Sequence, residues 1–190
     1  MTDVSRSAGS AATVHRRWRR GLAAILLVVA ASAWQRSSTS PWGEATTAAG
    51  DRIEVSPIGL SGTDAAGGVH SCRWWPVDGD EDLCRASTSD AAMSRLRLAY
   101  PLLQIGFWLG MIALFLVVLR APRRPILRVA ATSTATACVA AGMYLAMRVT
   151  PAALDVLTGV SISFQMSGAL LAWAGLGAAL VSLLLQTAGD

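Results

Sequence analysis

Cys72 and Cys84 are the pair of side chains whose type and spacing most plainly suggest chemistry. They are twelve positions apart in a polar stretch between apolar blocks. In an oxidising compartment they are expected to form a disulfide, and closing so short a loop contributes about 2–3 kcal/mol. Zinc is the alternative, but there is no CxxC, and His70 is a lone neighbour. A redox-active pair normally sits closer, as CxxC, so thiol enzymology would need a reactive Cys72 or Cys84. Asp78, Asp80 and Asp82 alternate like part of a calcium loop, yet the following glycine and the distant glutamate are missing. A solvated acidic turn is the simpler reading.

Gln104 and Gln165 are the polar residues of note inside apolar runs. An uncharged amide there more often makes an interhelix hydrogen bond than marks a conduction path. Asp, Glu and His are missing from the depths of those runs, which argues against a proton-driven transporter. A Walker loop, HExxH, GxSxG or a convergent Ser/His/Asp set is also missing from the sequence. The expectation is a protein that is not an enzyme, with no catalytic residues, no metal and no cofactor.

The elements that carry these residues are set by the solvent. Of 190 residues, 53% are hydrophobic and 15% charged, against about 25% charged in ordinary soluble domains. Mean hydropathy is +0.47. A helix needs about twenty apolar residues to cross hydrocarbon, and the chain offers such runs after residue 97. The expected division is a basic tail at 1–20, a first membrane helix at 21–34 and an outer loop domain at 35–97. A second helix follows at 98–119, a connector at 120–125 and a third helix at 126–147. An outer connector at 148–159, a fourth helix at 160–186 and a short end at 187–190 complete the chain. Pro101 is expected near the start of the second pass, where proline is tolerated.

The block Gly21–Trp34 is short for a span. Arg16, Arg17, Arg19 and Arg20 precede it, and Ala31-Ser32-Ala33 resembles a signal-peptidase site. A cleaved signal peptide and a retained helix anchored by Trp18 and Trp34 both fit. Every basic residue other than the two histidines is arginine, which reads as the codon bias of a GC-rich genome. Arginines crowd the N-terminal tail and the connector at Arg120, Arg123, Arg124 and Arg128, whereas the long loop is net acidic. The positive-inside rule then places both termini in the cytoplasm and the loop outside, in a bacterial inner (plasma) membrane. The arginines lack the interleaved aromatics of a nucleic-acid surface, so no nucleic-acid partner is expected.

Within the loop, Arg52–Val55 alternates, and Ile58 and Leu60 continue the apolar face past Pro57, suggesting one strand with a bulge or edge at the proline. Cys72–Trp75 suggests another strand. Ser89 or Asp90 can cap a helix running directly into the second pass. Gly106 and Gly110 form a GxxxG, and Ser161, Gly168, Gly175 and Ser182 recur every seven residues with Ala172 and Ala179 between them. Both patterns read as close-packing helix seams, either within a bundle or between copies. Cys138 reads as a small buried packing residue. The fold class expected is membrane all-α: a four-helix transmembrane bundle with a small disulfide-stapled extracytoplasmic β-sheet between helices 1 and 2.

This layout resembles the claudin and peripheral-myelin-protein superfamily. Trp42 follows the first pass, Gly59-Leu60 comes next, then Cys72 and Cys84, then Arg95 or Arg97 entering the second helix. Ser61 stands where the family has a second tryptophan. The resemblance implies an outer loop that mediates contacts between neighbours. The expected function is a claudin-like scaffold or adhesion protein that recognises partners through its outer loop and associates laterally through its small-residue seams. The alternative is an accessory subunit of a larger membrane transport or respiratory complex. Expected partners are the lipid bilayer and a second copy or other membrane proteins.

Overall fold

The structure is a computed structural model in which residues 4–46, 50–74, 77–79, 90–119, 125–156, 162–163 and 167–188 are described. Four helices dominate: α1 (Val4–Thr39), α2 (Asp90–Val118), α3 (Pro125–Val156) and α4 (Ser167–Thr187). Each contains a segment long and apolar enough to cross a membrane: Val14–Thr39, Arg97–Val118, Ile126–Arg148 and Ser167–Thr187. They form a transmembrane bundle. Its outer surface carries large apolar side chains such as Ile25, Val28, Trp108, Phe115, Trp173 and Leu184. In water that surface would promote association; facing hydrocarbon it is already in its own solvent.

The bundle interior is built from small residues. Ala30, Ala99, Ala135, Ala172 and Ala179 are fully buried, with Trp34, Leu103, Val139 and Met143 filling the space between them. Lipid tails are as apolar as leucine, so burial alone does not draw helices together; close backbone approach does. The helix containing Gly21–Trp34 is thus a full member of the bundle.

One end of the bundle carries an antiparallel sheet of β1 (Gly43–Thr46), β2 (Arg52–Val55), β3 (Gly59–Thr63), β4 (Val69–Trp74), β5 (Val77–Gly79) and β6 (Ile162–Ser163), in the order β5-β4-β3-β2-β1-β6. The segment expected as one strand across Pro57 is instead a hairpin. Ser56 and Gly59 exchange backbone hydrogen bonds of 2.8 and 3.2 Å around Pro57-Ile58, because proline presets the φ of a turn's first central residue and has no N–H to give to a ladder. Alternation holds in β2, where Ile53 and Val55 are buried and Arg52 is exposed. Arg52 pairs with Glu44 across the strands and with Glu54 at 3.1 Å.

Two parts of the expected fold need correction. The sheet is not confined to the loop between the first two passes. Its edge strand β6 comes from the connector before α4, within a segment expected to be membrane helix. Glu44 and Ala45 of β1 pair with Ser163 and Ile162, so backbone groups that would be an open edge are satisfied. The disulfide staple is also withdrawn as a feature of the described fold. Among the described residues no cysteine pair is present: Cys138 is the free cysteine, half-buried in α3, Cys72 is not free, and Cys84 lies outside them. What holds the sheet together, as described, is its continuous ladder and its buried face of Ile53, Val55, Leu60 and Cys72.

Helix ends differ from expectation as well. α2 begins at Asp90, which puts Pro101 well inside the helix rather than in its first turn. α3 runs past Arg148 to Val156, through the region expected as an outer turn. Gln165, Asp80 and Asp82 lie outside the described residues.

Candidate functional site

Trp42 joins the sheet to the bundle. Its backbone N–H donates to Val55 O at 2.8 Å, tying it to β2. Its indole Nε1–H donates to Ser37 O at 2.8 Å, tying it back to α1. The ring lies over Gly168 at the start of α4, where an added Cβ would meet the indole Cδ1 at 2.5 Å. Gly168 N–H donates to Pro41 O at 3.2 Å, and Ser37 Oγ–H donates to Gly168 O at 2.8 Å. With Trp42 only 4% exposed, this residue of the expected loop motif is a mechanical joint and not a contact surface for a partner.

Gly59 and Leu60 are likewise structural. A Cβ at Gly59 would collide with Cys72 O, so only glycine allows β3 to approach β4 at this point. Leu60 is 2% exposed opposite Cys72. Arg95 and Arg97 are exposed near the start of α2. The surface left to a partner is the outward polar face of the sheet, including Arg52, Ser71 and Arg73.

The small-residue seams serve this chain's own helices. Along α4, Gly168, Ala172, Gly175, Ala179 and Ser182 are all buried. Gly175 receives the Trp34 indole, with an added Cβ only 2.5 Å from its Nε1. At the far end of the seam Ser182 Oγ–H donates to Ala23 O at 3.0 Å. The two glycines of the GxxxG serve different neighbours. Gly106 lies against Val139 and Ala135 of α3, while Gly110 lies against Trp34 of α1, 3.1 Å from the ring to an added Cβ. Trp34, expected as an interface anchor, is thus buried between α2 and α4. Trp18 keeps the exposed position such an anchor needs, and Tyr144, beneath Arg148 at 5.5 Å, does so near the sheet end. Gln104 makes an interhelix bond, donating at 3.4 Å to Ser38 Oγ.

The end opposite the sheet holds a polar cluster that the sequence reading missed. Thr132 Oγ1–H donates to Arg128 O at 2.9 Å, and Ser182 Oγ–H is committed to Ala23 O. Both hydroxyls can then only accept, which turns the Gln186 amide nitrogen toward them, at 3.3 and 3.2 Å. Gln186 Oε1 is left buried with no partner. Gln186 lines a cleft of about 20 Å³ with Arg16, Arg19, Arg20 and Arg128. Arg128 is 6% exposed, although its position beside other arginines read as an ordinary cytoplasmic charge. Thr132, Ser182 and Gln186 on successive apolar helices were the available signal, but none falls in a recognisable motif.

Among the described residues no group of three or more His, Cys, Asp or Glu side chains gathers as metal ligands would. Comparison with known proteins finds no family and no curated protein that matches the chain.

Proposed function

We propose that the protein is a non-enzymatic membrane scaffold whose six-stranded sheet is a recognition surface for a neighbouring protein. The observation that carries this reading is the Trp42 joint. It fixes the sheet to α1 and α4 at once, and a surface held still costs less entropy to dock than a loose loop. Recruitment of β6 from the last connector supports the same reading, since it ties the sheet to both halves of the chain. The claudin-like arrangement agrees at the level of four passes and an outer sheet, with the motif tryptophan acting inward. With the α4 seam filled by α1, lateral association falls to the exposed face of α2 at Trp108, Ile112 and Phe115.

The proposed orientation has the arginine end in the cytoplasm and the sheet outside, following the positive-inside rule. Crosslinking in native membranes from cysteines placed at Arg52 and Arg73 tests the function. A specific adduct with a second copy or another membrane protein is expected, and a strictly monomeric protein without adducts would sink the proposal. The exposed aromatic face of α2 also supports the second reading, an accessory subunit of a larger complex. Stoichiometric co-purification with a transporter or oxidoreductase in mild detergent would favour that reading over the scaffold.

A further inference from the structure

We propose that the arginine end of the bundle binds an anionic phospholipid, its phosphate gripped by the arginines around Arg20 and a headgroup hydroxyl donating to Gln186 Oε1. Three independent features converge there. First, the charge: neither the cleft of about 20 Å³ nor the one beside it has an acidic side chain in its lining, and the two share Arg20. Guanidinium forks match phosphate oxygens bidentately, and an anion relieves the repulsion among clustered arginines. Second, the buried amide: Gln186 is 7% exposed, its nitrogen is held by Thr132 and Ser182, and its oxygen needs a donor. A phosphate has none at neutral pH, but the glycerol hydroxyls of a phosphatidylglycerol headgroup do. Third, the shape: the neighbouring cleft, about 340 Å³, runs from Arg17 and Arg20 onto Gly21, Ala24, Val117 and Val118. A charged pocket that opens onto an apolar groove at the end of a membrane helix fits an amphiphile. A free phosphate would use only half of it.

The inner cleft has room for about one water or hydroxyl, so the headgroup's terminal hydroxyl, and not the whole headgroup, is the part that enters. The phosphate sits at the mouth, where Arg16 is exposed and Arg19 and Arg20 are half-buried. Arg19 also donates to Ala188 O at 3.0 Å, which ties the mouth to the end of α4.

The test is native mass spectrometry of the full chain in mild detergent, titrated separately with phosphatidylglycerol, phosphatidylcholine and inorganic phosphate. Retention of phosphatidylglycerol is expected, with about tenfold weaker binding for Arg20→Gln, the loss of a charged hydrogen bond. Arg36→Gln, at the sheet end, should bind like the parent chain. Should Arg20→Gln fail to give monodisperse protein, Arg16→Gln on the exposed rim should weaken binding in the same direction. Gln186→Met should erase a preference for phosphatidylglycerol over phosphatidate. Equal retention of phosphatidylcholine, or binding unchanged by both arginine variants, would overturn the proposal. Displacement of bound lipid by millimolar inorganic phosphate would reassign the cleft to a free anion and overturn it equally.

Discussion

Helices α1 and α4 are pinned by serine hydroxyls at the two ends of their seam, with an indole seated in a glycine notch between them. Helices α2 and α3 meet through absent side chains: Gly106 against Val139 and Ala135, and Gly142 against Ala99 and Leu103. Both pairs solve the problem of association in a solvent that offers no hydrophobic drive. The first adds directional polar contacts that fix register along the axis. The second relies on close backbone approach and the dispersion contacts that follow. The difference teaches that a small residue in a membrane helix has no single role. Gly110 and Gly175 make space for one large ring, whereas Gly106 and Gly142 bring two backbones together.

The comparison breaks most severely at Gly175. Gly175→Val drives a branched side chain into the Trp34 indole and is expected to destabilise the bundle by about 3 kcal/mol. Thermal unfolding in detergent, followed by tryptophan fluorescence, would read it. An unchanged midpoint would mean that the indole does not occupy the notch. Gly106→Ala should cost about 2 kcal/mol by parting α2 from α3. Val139→Ala in the same chain should recover part of the loss, although the approach of Ala135 O at 3.0 Å limits the rescue. A double-mutant cycle with no coupling would show that the second seam is not built on that contact.

Trp42→Phe tests the joint between sheet and bundle. It removes one buried hydrogen bond and is expected to cost about 1 kcal/mol. The readout is faster proteolysis of the sheet with the helices still protected; unchanged cleavage would show that the joint does not hold the sheet. The smallest effects belong to Ser37→Ala and Ser182→Ala, about 0.6 kcal/mol each, in line with hydrogen bonds between membrane helices. Ser182→Ala should be the larger of the two, because Ser182 Oγ also accepts from Gln186.

The four helices were legible because twenty-residue apolar runs have few other solutions, and strand β2 because its alternation is strict. The hairpin at Pro57 was misread because Ile58 and Leu60 continue the same apolar period. Nothing local reveals that the chain reverses between them. Trp34 was misread because a tryptophan flanking a short apolar block looks like an interface anchor whether it faces lipid or protein. The disulfide expectation rested on spacing and compartment, and no cysteine pair lies among the described residues. Strand β6 lay hidden in a segment hydrophobic enough to pass for helix.

Composition and run length by themselves determined the solvent of most of this chain, the number of helices long enough to cross it and the separation of a polar loop from a basic tail. These follow from transfer free energies that add residue by residue. Tertiary structure alone decided which neighbour each glycine serves, that Trp42 faces inward, and that Gln186 ends up beside Arg20. Those outcomes depend on pairs far apart in the chain, and a helical sequence presents the same small face to whichever partner the fold brings to it.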